Sequence, residues 1–105
     1  MKVCEEMQKL RKLLDEKNIT WIDNSEEFET GSADFEMWIC RTKFESEGHH
    51  FSVINGFGTY GGWYGANSVT EAKDNLGQLE LMIDRDEPIG WLTAEEVIYL
   101  VDNLK

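Results

Sequence analysis

The chain has 105 residues, 41% of them hydrophobic, with four Trp and five Phe. That is enough apolar material for a single domain over residues 1–105 to bury a core without disulfide or metal, and it excludes a disordered acidic tail, which would lack aromatics. Twenty-one acidic against ten basic residues leave a formal net charge of −11. A field of that sign disfavours direct contact with nucleic acid or anionic membranes and favours basic partners. Such acid serves solubility, or it forms a surface that docks on a basic, nucleic-acid-binding protein.

Residues 2–17 read as an amphipathic helix. Val3, Met7, Leu10 and Leu14 repeat at i, i+4, i+7 and i+11, Leu13 widens the stripe, and Glu5 with Lys9 offers an i,i+4 pair. Asn18 suits the left-handed position just past its end. Ile19-Thr20-Trp21-Ile22-Asp23 is β-branched and aromatic and reads as a strand. Asn24 to Glu27 reads as a turn, and residues 28–32 as loop.

Phe35 to Phe44 is the next strand, with apolar residues on both faces, and Glu45-Ser46-Glu47-Gly48 turns it back into His49 to Asn55. These three strands make an antiparallel meander. Residues 67–75 are polar and read as exposed loop. In Gln78 to Ile83, Leu79, Leu81 and Ile83 alternate as in a strand, while Leu76, Leu79 and Ile83 also suit a helix; the balance favours a fourth strand. Asp84 to Pro88 breaks the pattern. Thr93-Ala94-Glu95-Glu96 then spells a capping box, and the helix it opens runs through Val97, Ile98, Leu100, Val101 and Leu104. Trp91 or Leu92 with Val97 could form its hydrophobic staple.

Few residues promise chemistry. His49 and His50 are adjacent on a strand, so they point to opposite faces and cannot share one metal. His50 with Cys40 would give two ligands, short of what zinc needs. No metal and no cofactor is expected. Cys40 sits in an apolar strand, Cys4 beside Glu5 and Glu6, and both settings disfavour a reactive thiolate. No serine lies in a nucleophile elbow, and with so much acid any carboxylate pair is expected by chance. The balance is against an enzyme.

The most distinctive stretch is Phe51 to Gly65, FSVINGFGTYGGWYG, where glycines alternate with aromatic rings. Gly56 to Gly61 formally matches GxGxxG, but the dinucleotide fingerprint also needs a helix opening at the motif, and Gly62-Trp63-Tyr64-Gly65 opens one poorly. Two uses remain for Phe57, Tyr60, Gly61, Gly62, Trp63 and Tyr64. Either the loop folds back and its rings cap the sheet, or it presents a contact patch, since Tyr and Trp dominate binding hot spots.

Phe51-Ser52-Val53-Ile54-Asn55-Gly56 with Thr59-Tyr60-Gly61-Gly62, then Gly77-Gln78-Leu79-Glu80-Leu81-Met82, then Gly90-Trp91-Leu92-Thr93-Ala94-Glu95-Glu96-Val97, run in an order found elsewhere. On these residues the second half of the chain resembles small uncharacterised proteins encoded by phages and prophages of Gram-positive bacteria. The resemblance implies a phage-related origin and no residue roles.

The sequence therefore predicts an α+β domain: an N-terminal helix, a three- to four-stranded antiparallel sheet and a C-terminal helix, both helices on one face. Met1 to Glu6 has no long apolar run and no stretch could span a membrane, which predicts a cytoplasmic protein, in a bacterial host cell, with reduced thiols. The expected function is that of an accessory protein binding another protein, with a basic nucleic-acid-binding factor as the partner its charge fits. The alternative is a small molecule or nucleotide held under the loop of residues 56–65.

Overall fold

The structure, a computed structural model, describes residues 3–28, 37–62 and 76–104. Helix α1 (Glu5–Glu16) leads into β1 (Trp21–Asp23), β2 (Glu26–Phe28), β3 (Met37–Ser46), β4 (His49–Gly56), β5 (Leu79–Ile83) and β6 (Ile89–Leu92), and the order ends with α2 (Ala94–Asp102). The fold is α+β, with a helix before and a helix after one antiparallel sheet.

Among the described residues that sheet has six strands rather than three or four. Its order is β1-β3-β4-β5-β6, with β2 also paired to β3, so every strand lies beside a near neighbour in sequence. The structure makes β5 (Leu79–Ile83) of the stretch read as a fourth strand. Leu79 and Leu81 face the core on alternate positions, and this wins over the helical spacing because both neighbours supply a ladder.

β2 occupies residues read as turn, and the reason lies in Ser25. The pairs Trp21–Phe44, Asp23–Thr42, Glu26–Ile39 and Phe28–Met37 keep one register throughout, so β1 and β2 are two halves of one edge strand. At the break, Asn24 N–H still donates to the Arg41 carbonyl at 2.9 Å, but Arg41 N–H donates to the Ser25 hydroxyl at 3.0 Å instead of to a backbone carbonyl. Asp23 in turn accepts both the N–H and the hydroxyl of Ser25. Side chains that signal a turn thus substitute for one rung of a ladder. β6 was hidden by its shortness and by the Asp84–Pro88 break ahead of it.

The β3–β4 hairpin turns on Glu47 and Gly48, both at positive φ (51° and 80°), the conformation of a two-residue turn that matches strand twist. Along β3, Trp38, Cys40, Thr42 and Phe44 are buried, and along β4 Phe51, Val53 and Asn55. These residues face Met7, Leu10 and Leu14 of α1 and Val97 and Val101 of α2 in one hydrophobic cluster, so both helices lie on the same face.

The helix ends follow their sequences. Past α1, Asn18 adopts φ 58°, its N–H donates to the Asp15 carbonyl at 3.0 Å, and Ile19 N–H reaches the Leu14 carbonyl at 2.9 Å. This is the doubled C-terminal closure that asparagine tolerates. Thr93 and Glu96 form the reciprocal capping box at the start of α2. Lys9 does not pair with Glu5; it reaches Glu6 at 3.7 Å and Glu95 at 3.4 Å. Glu6 contacts Ala94, Lys9 contacts Glu95 and Lys17 contacts Asp102, so the two helices run parallel. Among the described residues no helix is long and apolar enough to cross a membrane.

Candidate functional site

The glycine segment that leaves β4 is closely packed. Phe57 N–H donates to the Trp38 carbonyl at 3.0 Å, and the Thr59 hydroxyl both accepts from Gly56 N–H (3.0 Å) and donates to the Gly56 carbonyl (2.9 Å). A Cβ on Gly62 would lie 2.3 Å from that hydroxyl oxygen and 2.4 Å from the Gly56 carbonyl oxygen. A Cβ on Gly56, at φ 150°, would lie 2.2 Å from the Trp38 carbonyl oxygen. These glycines exist because backbone meets backbone there.

The same hydrogen bonds bear on phosphate recognition. The N–H groups of Gly56, Phe57, Thr59, Tyr60 and Gly62 are already bonded to protein acceptors, so they do not form the converging open donors that a phosphate cradle needs. Downstream, Gln78 N–H and Leu76 N–H donate to the carbonyls of Gly61 and Gly62 at 3.0 and 3.2 Å, which ties the segment to the approach of β5.

One part of this segment does face outward. In the β5–β6 ladder, Leu79 pairs with Leu92 and Leu81 with Ile89, so Gly90 and Trp91 together oppose Glu80 in a β-bulge. Trp91 sits at φ 56°, a conformation that is costly for a bulky residue. Its N–H donates to the Tyr60 carbonyl at 3.2 Å, its ring packs tilted on the Tyr60 ring at 5.3 Å, and it remains 50% exposed. Beneath them Glu80, only 8% exposed, accepts the Tyr60 N–H at 3.0 Å. The bulge therefore re-aims a Trp into solvent and props it on a Tyr whose backbone is anchored by a buried carboxylate.

Of the six residues expected to form a binding surface, the structure separates two kinds. Phe57 is exposed and Tyr60 half-buried, whereas Gly61 and Gly62 are buried and serve packing. Trp63 and Tyr64 lie outside the described residues. Sequence reading missed Trp91 and Glu80 as members of the site. Trp91 was visible only as a staple candidate, because a bulge depends on the register of two strands and leaves no mark in either.

Acidic groups occur on both helices, on the edge strand and in the turns, rather than on a single element. The turn leading into β6 carries Asp84, Asp86 and Glu87, all exposed. Asp84, at φ 53°, accepts His50 N–H at 2.9 Å and contacts His49 Nδ1 at 2.8 Å, and these bonds, the backbone one foremost, hold its carboxyl below the usual range. His50 Nδ1 lies 3.0 Å from Glu45. The histidines are thus each engaged with a carboxylate, on opposite faces of β4.

The cysteines are free thiols. Burial pushes the Cys4 thiol up, and Cys40 is buried with Arg11 Nη2 at 3.6 Å from its sulfur. Arg11 also donates to Thr42 Oγ1 at 2.9 Å, pairs with Asp23 at 3.3 Å and lies over the Trp21 ring, a set of bonds that seals α1 to the sheet edge. Among the described residues no three His, Cys, Asp or Glu side chains converge on one point. Compared with protein-family models, curated proteins and solved structures, the chain matches none.

Proposed function

We propose that this chain is a small acidic accessory protein, of the phage type its sequence resembles, that works in the cytoplasm of a bacterial host by binding another protein. The observation that carries this reading is Trp91: half-exposed, held at positive φ by a bulge, and packed tilted against Tyr60. A strained backbone that keeps a large aromatic ring in water is the arrangement expected of a binding anchor. Ile89 and Phe57 are also exposed, and Asp84, Asp86 and Glu87 line the turn before β6. An aromatic anchor beside carboxylates fits a partner with a basic surface, such as a nucleic-acid-binding factor, and the −11 charge speeds that encounter.

The test is capture from a bacterial lysate on the immobilised protein at low and moderate salt, with Trp91→Ala beside the wild type. A partner held at low salt, released at moderate salt and lost from Trp91→Ala supports the reading. No retained partner, or equal retention by Trp91→Ala, overturns it.

A further inference from the structure

The face of the sheet turned away from the helices carries a second feature. A depression of about 890 Å³, within the size of small-ligand sites, lies over the strands β1, β3, β4 and β5. Strand register fixes what lies across it. One row runs Ile22, Lys43, Ser52, Met82; the next runs Arg41, Ile54, Glu80. Ile22 is 64% exposed and Met82 is also exposed, while Ile54 between them is half-buried. The floor therefore mixes aliphatic side chains with Arg41 and Lys43 at one end and Glu80 at the other.

Arg41 is the informative residue. Its side chain is only 21% exposed, yet the described residues engage Nη1 alone, through the Asn24 carbonyl at 3.3 Å and Glu26 at 3.8 Å. Nε and Nη2 make no hydrogen bond or ion pair among the described residues, and these two nitrogens form the fork that matches a carboxylate. Lys43, two residues along the same face, is exposed and has no carboxylate partner among the described residues. The acids of the lining each accept a hydrogen bond from the protein and do not reach these cations: Glu45 contacts His50, Asp84 contacts His49 and the His50 N–H, and Glu80 accepts the Tyr60 N–H. In a chain of net charge −11, this face sets Lys43 and the open Nε–Nη2 edge of Arg41 beside exposed aliphatic side chains.

We infer that this face binds a small organic anion with an aliphatic body, its carboxylate held by Arg41 and Lys43 and its chain lying on Ile54 and Met82. Charge disfavours the reverse orientation, because the Glu80 carboxylate stands at the far end of the Arg41 row.

The experiment is a titration of the ¹⁵N-labelled full chain with octanoate, followed by amide shifts, with octanol and acetate as controls. Octanoate should give saturable shifts confined to the strands around Arg41, Lys43, Ile54 and Met82. Octanol lacks the charge and acetate the body, and each should bind about tenfold more weakly or less. Arg41→Gln should weaken octanoate by about tenfold, and Lys43→Glu, at an exposed position that folding does not depend on, should do so with the remaining spectrum unchanged. Trp91→Ala should bind octanoate as the wild type does. The inference is overturned if octanoate shifts no amide on this face saturably, if octanol binds equally well, or if Lys43→Glu binds unchanged.

Discussion

Glu6, in the first turn of α1, accepts the backbone N–H of Ala94, the first residue of α2, at 3.1 Å across 88 positions of sequence. The first N–H groups of a helix have no partner within it, so a carboxylate from the neighbouring helix both satisfies one and meets the positive end of its dipole. Because the helices are parallel, Glu5, Glu6, Glu95 and Glu96 all stand at that same positive end. Glu6→Ala should lower stability by about 1 kcal/mol in urea unfolding, with Glu6→Gln, which keeps an acceptor, losing less. Equal losses would mean that the charge rather than the hydrogen bond matters.

The packing of the glycine segment gives a graded series. Gly62→Ala places its methyl against the Thr59 hydroxyl and the Gly56 carbonyl, neither of which can retreat without undoing the Thr59 clamp. Its loss of stability should exceed about 3 kcal/mol. Gly58 has φ 75° but nothing within 4 Å of its Cβ position, so Gly58→Ala should cost only about 1 kcal/mol. Urea midpoints that fall together would show that conformational freedom, and not close approach, explains both positions.

At Trp91 the usual ranking of alanine and glycine should invert. The left-handed backbone favours glycine by about 1 kcal/mol, so Trp91→Gly should unfold at higher urea than Trp91→Ala although both lose the contact with Tyr60. Both should lose the protein partner. An alanine variant as stable as the glycine variant would show that the bulge relaxes once the indole is gone.

Much of this was readable from residue pattern, and the unreadable part has a common cause. Helix α1 announced itself by Met7, Leu10 and Leu14, its end by Asn18, and α2 by Thr93 and Glu96, because each signal is completed within a few residues. β2 and β6 were not readable, since Ser25 and Trp91 acquire their roles from partners distant in sequence, Arg41 and Tyr60. Phe57 and Tyr60 were identified from composition alone, but composition could not tell the packing glycines from exposed ones. That distinction depends on where the Trp38 carbonyl arrives.

Acid should act on one turn in particular. The Asp84 carboxyl is held low by the His50 N–H and by His49, so its bonds stabilise the fold at any pH above the ordinary aspartate value and are lost as pH falls through the depressed folded value. Stability should therefore decline below about pH 4, and Asp84→Asn should flatten that decline. Thermal unfolding between about pH 2 and 6 reads it. A parallel acid limb in Asp84→Asn would assign the loss elsewhere, with Asp23, held low by the Ser25 hydroxyl first and by Arg11, the next to replace.

The neighbour-to-neighbour order of the strands has a consequence for how the chain gains its structure. The β3–β4 and β5–β6 pairings close short loops, so the sheet can grow outward from the Glu47–Gly48 turn while the polypeptide is still being made. Its inward face cannot close that way. Val53, Leu79 and Leu81 are sheltered by helices from opposite ends of the sequence, and α2 is the last of these elements to leave the ribosome. Until those nine residues dock beside α1, a finished sheet presents a bare apolar side. The interval in which this chain is most open to aggregation, or to capture by a chaperone, is set by the synthesis and docking of a single short helix.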